Sequence, residues 1–131
     1  MAYFLGIDFG NKYIGLALSD KDGKFSSPYS VVRNNKDFLS FLNDLLLKYP
    51  IDTVVIGNPL NSEGEDSVYS EKIKEFSKSI KCKYVLWNET LTSFESKSKL
   101  SRNKKRIDDV AASIILQEYL DYINKSWKNW R

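Results

Sequence analysis

Apolar and polar positions change period several times along the chain, and each change marks an element. Residues 3–8 are mostly apolar and end on Asp8; residues 13–19 alternate Ile14, Leu16 and Leu18 with smaller side chains. Both segments predict strands, with Gly10-Asn11 between them as a tight turn, because both residues tolerate positive φ. Asp22-Gly23 is a second hairpin signal, and residues 25–32 predict a third strand, made irregular or an edge by Pro28. Three strands in succession predict an antiparallel meander. The period then becomes helical. Phe38, Phe41, Leu42, Leu45 and Leu46 form one stripe, with Asn34-Asn35 as the candidate N-cap and Pro50 as the stop after Tyr49.

The β-branched run Thr53-Val54-Val55-Ile56, bounded by Pro50 and Gly57, predicts a strand buried on both faces. A polar loop over 58–67 follows and is expected to border the site and to be mobile without substrate. Helix over 67–80 and strand over 83–87 complete a parallel strand–helix–strand unit. A short helix is expected over 94–100. A last helix, from Asp108 or Asp109 to about 123, is apolar almost all round, which predicts burial. The fold class is therefore α/β: a mixed five-stranded sheet, three strands antiparallel and two parallel, with helices on both faces.

Composition narrows the chemistry. The 131 residues predict a single domain over 1–131. No apolar run approaches the ~18 residues of a membrane span, and no signal-peptide pattern precedes the first strand. One cysteine, Cys82, permits no internal disulfide and fits a reducing cytoplasm. The chain has no histidine, which excludes Ser-His-Asp and Cys-His catalysis and His-ligated zinc. Acid–base work falls to carboxylates, Lys, Tyr or metal-bound water. The net charge is only +3, but Lys97, Lys99, Arg102, Lys104, Lys105 and Arg106 follow one another with no acid between them. Such a run can neutralise phosphates, or be a solvated loop. Trp127 and Trp130 near the end could stack on bases, but packing on the core is the commoner use.

Three carboxylates stand at element ends: Asp8 as the last residue of the first strand, Glu89 after the fifth, and Asp108 at the start of the last helix. Ligands of such sheets bind beyond the carboxyl ends of the strands, where Gly57-Asn58 and Asn88 also fall. Each acid has an ordinary alternative as turn acceptor, exposed loop acid or N-cap. Together, beside a basic run, they favour a site for a hard cation, Mg²⁺ or Mn²⁺. Two such ions ~3.5–4 Å apart would activate water and stabilise the leaving oxygen in phosphodiester cleavage.

The residues also carry a family resemblance over nearly the whole length. Gly6-Ile7-Asp8-Phe9-Gly10, Lys12 and Ile14-Gly15-Leu16-Ala17-Leu18-Ser19-Asp20 resemble the opening motif of the YqgF family, the RuvX-type Holliday-junction-resolvase-like proteins. Val55-Ile56-Gly57-Asn58-Pro59-Leu60-Asn61 with Gly64 resembles the central loop. Glu89 with Leu91-Thr92-Ser93 resembles the third motif. Ile107-Asp108, Ala111-Ala112, Ile115-Leu116-Gln117 and Tyr119-Leu120 resemble the fourth. The resemblance implies a ribonuclease H-like fold and a metal-dependent nuclease with Asp8, Glu89 and Asp108 as catalytic and metal-binding acids. It implies action on the 5′ end of the 16S ribosomal RNA precursor. Candidate nucleic-acid contacts are Lys12, Asn58, Lys97, Arg102, Lys104, Lys105 and Arg106. Tyr13 stands where the family has an Arg, and Asn88 and Thr90 flank Glu89 where it has an acid and an Arg. Asp109 is an alternative to Asp108. The expected partner is nucleic acid, structured RNA or branched DNA, with no membrane, and the chain is expected to be a monomer or weak homodimer. Alternative functions are a resolvase of four-way DNA junctions, and a non-catalytic nucleic-acid-binding module of the same fold.

Overall fold

The structure is a computed structural model, and it describes residues 2–10, 12–58, 68–88 and 104–128. Strands β1 (Tyr3–Phe9), β2 (Tyr13–Ser19) and β3 (Ser26–Arg33) are followed by α1 (Phe38–Lys48), β4 (Ile51–Asn58), α2 (Val68–Ser77), β5 (Tyr84–Asn88) and α3 (Lys104–Lys128). The five strands form one sheet in the order β3-β2-β1-β4-β5. β1, β2 and β3 pair antiparallel, while β4 runs parallel to β1 and β5 parallel to β4. This is the mixed sheet the sequence predicts, and Ile7 pairs with Ile56 at its centre. The carboxyl ends of β1, β4 and β5 therefore share one edge.

Each face of the sheet buries its own core. Leu5, Ile7, Ile14, Leu16, Val54 and Ile56 face α1 and α2, where they meet Phe38, Leu42, Leu45 and Ile73. Ala17 and Val55 face α3 and its Ala112, Ile115, Leu116 and Leu120. The alternation along β4 explains why its run is apolar without a break: both faces are covered. Gly6 belongs to the α3 face. A Cβ there would stand 2.8 Å from the Leu116 Cβ and 2.9 Å from the Ala112 carbonyl. The α3 surface thus packs directly against the β1 backbone, an approach that a side chain at residue 6 would obstruct.

Helix α3 runs antiparallel to β1. Its middle covers Gly6, while Asn124 near its end donates to the Gly23 carbonyl at 3.2 Å, beside the start of β1. Gln117 and Ser113 tie the same helix to β3: Gln117 accepts from the Ser26 N–H at 2.9 Å, and the Ser113 carbonyl accepts from the Ser26 hydroxyl at 2.6 Å. The first turns of α3 therefore extend towards the edge where β1 ends.

Three expectations are corrected. The last helix begins at Lys104 rather than at Asp108 or Asp109, so residue 108 lies in its second turn and is not a cap. Lys and Arg are good helix formers, and this start has no apolar period to announce it. Helix α1 begins at Phe38 rather than just after Asn34-Asn35. Asn34 is engaged elsewhere: its N–H donates to the Lys12 carbonyl and its amide to the Gly10 carbonyl, both at 2.8 Å. Asn35 instead accepts from the Asp37 N–H at 2.9 Å. The first hairpin closes between Gly10, whose N–H donates to the Tyr13 carbonyl at 2.8 Å, and Tyr13 itself. Gly10 does not use positive φ; among the described residues only Gly23 does, at 68°. Pro28 does disturb its strand, with a register shift opposite Leu16-Ala17 on the outermost strand. The loop over 59–67 and the helix expected over 94–100 lie outside the described residues.

Candidate active site

Asp8 is 2% exposed, one residue from the end of β1. Phe9 anchors that end from the opposite face, with its ring 5.8 Å from Phe38 and 5.1 Å from Phe76. Alternation puts Asp8 on the face of Gly6, the α3 face. Its cross-strand partner on β2 is Gly15. One step past the Ile7–Ile56 pair, Gly57 comes alongside on β4. The carboxylate thus stands between two glycines, and neither neighbouring strand places a side chain beside it. The hairpin register decides this, because a one-residue slip would bring a different residue opposite Asp8 and reverse its face.

Asn58 is 3% exposed at the end of β4, and its amide donates to the Asn88 side-chain oxygen at 2.8 Å. This bond joins the ends of β4 and β5 on the face opposite Asp8. The Trp87 indole N–H donates to Glu118 at 3.2 Å, and its ring meets Tyr119 edge-on at 5.6 Å. α3 thereby fixes the end of β5, from which the chain continues into Glu89. β5 is not adjacent to β1; β4 lies between them. The two strand ends are thus separated by about 9.6 Å across the sheet.

The ten residues singled out from the sequence divide accordingly. Asp8 and Asn58 are buried at the carboxyl edge on opposite faces, and Lys12 is exposed beside the first hairpin. Residue 108 lies on the α3 backbone one turn before Ala112, on the side of Asp8. Lys104, Lys105 and Arg106 occupy the first turn of the same helix. Glu89, Lys97 and Arg102 lie outside the described residues. Among the described residues no three potential ligands converge; Asp8 is the member of the proposed triad whose side chain is described. Gly57 was placed at the ligand edge from sequence; Gly15 was not picked out as part of the site, and the signal for it is the register of the first hairpin. Cys82 is no nucleophile candidate: burial, then Asp52, pushes its thiol up from 9.0, and its Sγ lies 3.7 Å from the Ile51 carbonyl.

A mixed sheet in this order, with an acid at the end of its central strand and a helix laid across that face, defines the ribonuclease H-like class. The Thermus thermophilus RuvC, solved with a Holliday junction, shares the fold at a TM-score of 0.56 and 11% identity, over 93% of this chain and 95% of that one. The fowlpox virus resolvase, solved with junction DNA, gives 0.51 and 19% identity, over 92% and 98%. Within that class, residues 2–122 match the family RuvX, described as Holliday junction resolvase, and the chain belongs to it. Relatives carrying the name "Putative pre-16S rRNA nuclease" include those of Clostridium acetobutylicum, 39% identical over 91% of this chain and 98% of that one, and Bacillus subtilis, 36% over 92% and 98%. The Halothermothrix orenii relative is 35% identical over 92% and 96%.

Proposed function

We propose that this chain, acting as a single cytoplasmic domain, is a metal-dependent nuclease that trims the 5′ end of the 16S ribosomal RNA precursor. The observation that carries the reading is Asp8: a buried carboxylate at the carboxyl edge of β1, flanked by Gly15 and Gly57. Relatives that match almost end to end support the substrate. A carboxylate held at a strand end in this way is a suitable ligand for a hard cation. Gly15 and Gly57, on the strands to either side, bring no side chain of their own against the carboxylate.

The donor set fits a hard divalent ion, Mg²⁺ or Mn²⁺. Asp8 would hold it with Glu89 and Asp108, the latter carried on a helix whose first turns run to this edge. When bound, such an ion supplies a nucleophilic water at neutral pH and charge stabilisation for the leaving oxygen. The chain's own residues do the rest. Asp8 would hold the ion at the end of β1, and Lys12 with the cations of the first turn of α3 would neutralise flanking phosphates. Among the described residues no helix is long and apolar enough to cross a membrane.

The family description favours a second reading, cleavage of four-way DNA junctions. One experiment separates them. The protein is incubated with a precursor 16S leader RNA and with a DNA four-way junction, each with Mg²⁺, Mn²⁺ or EDTA. Cation-dependent cleavage of the RNA and not of the junction is the expected result. Cleavage of the junction alone would replace the RNA reading, and cleavage of neither would remove the nuclease.

A further inference from the structure

The edge that carries Asp8 also gathers cations. β2 begins there and β3 ends there, so Tyr13 and Arg33 are direct cross-strand partners. The Arg33 guanidinium carbon stands 5.5 Å from the centre of the Tyr13 ring. Both belong to the face of Asp8. Tyr13 is two residues from Gly15, the partner of Asp8, and Val32 packs on the opposite core. Lys12 is exposed alongside. The Asn34 bonds to the Lys12 and Gly10 carbonyls tie the end of β3 to the first hairpin. The two cations are thus carried on one braced unit.

Among the described residues, no carboxylate pairs with Arg33 or Lys12. Arg33 is exposed, yet the ring beneath it limits its freedom. A guanidinium seated on an aromatic face keeps its edge free for a bidentate bond to phosphate. Two strand spacings and two residues along put its Cα about 12 Å from that of Asp8. That separation suits a neighbouring phosphate, not the one at the acid.

We infer that Arg33, seated on Tyr13, binds a backbone phosphate of single-stranded RNA next to the phosphate held at Asp8. With Lys12 it sets the side of the sheet over which the strand leaves. The inference rests on the nuclease reading for what lies at Asp8, but not for the contact itself.

Binding of a fluorescently labelled single strand from the precursor leader is measured by anisotropy in EDTA, where cleavage is suppressed, over a series of salt concentrations. Arg33→Ala is expected to weaken binding several-fold and to reduce the slope of log K against log salt by about 0.7, one phosphate contact on a single strand. Arg33→Lys should keep the slope and lose part of the affinity. Tyr13→Ala should lower affinity at unchanged slope. All three should melt as the wild type does, since Arg33 is exposed and Tyr13 only half-buried. If Arg33→Ala binds with unchanged affinity and slope while the wild type cleaves RNA, this inference is overturned and the nuclease stands. If the wild type cleaves nothing but Arg33→Ala still loses slope, the contact stands and the nuclease falls. A wild type that binds no RNA overturns both.

Discussion

A carboxylate that is 2% exposed at the end of a central strand is an unusual use of Asp. In the proposed site it is the ligand carried by β1 itself, so Asp8→Asn should abolish cleavage. The change is nearly isosteric and Phe9 still anchors the strand end, so melting temperature and RNA binding should stay near those of the wild type. Retained cleavage at saturating Mg²⁺ would show that Asp8 is not a ligand; loss of activity with a collapsed melting temperature would make it a structural turn residue. Gly6 offers an independent check on the same strand. A methyl there meets the Leu116 Cβ at 2.8 Å and the Ala112 carbonyl at 2.9 Å, so helix backbone must move. Gly6→Ala should cost about 1–3 kcal/mol in urea unfolding. Asp8 was legible in the sequence because a charge interrupts an apolar strand. The role of Gly15 was not, because only the hairpin register says which residue faces it. The contact of Arg33 with Tyr13 was missed for the same reason: nothing in their spacing announces that the guanidinium lies over the ring.

The elements themselves were legible where burial imposes a period. All five strands fall within a residue or so of their expected bounds, and the α1 stripe buries Phe38, Leu42 and Leu45. The starts of α1 and α3 were not: Asn34 bonds to the first hairpin instead of capping α1, and the first turn of α3 has no apolar period to announce it. The docking of α3 can be followed by pH. Tyr119 lies between Phe4, at 6.1 Å, and Trp87, at 5.6 Å. Burial, then Asp52 and Tyr122, raises its phenol above the ordinary 10.0. The folded chain therefore holds this proton more tightly than the unfolded chain. The resulting stabilisation is fully present below pH 10.0 and is lost as pH climbs through the folded value. Chemical denaturation across the alkaline range should show stability falling there, and falling less steeply in Tyr119→Phe. An equal slope in the variant would mean that the loss comes from the other raised groups, Tyr29, chiefly through its hydrogen bond with Tyr49, and Cys82, chiefly through burial.

At the scale of the molecule, the proposed site draws on both halves of the chain: Asp8 comes from the meander, Glu89 follows the parallel unit, and Asp108 comes with α3. Three acids held together in the proposed site would repel one another, and each would gain from a shared cation. A cation that binds only this assembled arrangement must stabilise the whole fold by mass action, whether or not any RNA is present. At Mg²⁺ tenfold above its dissociation constant the gain is about 1.4 kcal/mol, enough to raise the melting temperature by a few degrees. Melting curves with Mg²⁺ and with EDTA, at matched ionic strength, should show that increment in the wild type. Asp8→Asn should lose most of it while melting, in EDTA, at or above the wild-type temperature, because one repelling charge is gone. The comparison separates a ligand from a structural acid without any substrate. Equal Mg²⁺ increments in the two proteins would place the cation elsewhere. The absence of any increment at saturating Mg²⁺ would mean that the three acids form no cation site in the free protein.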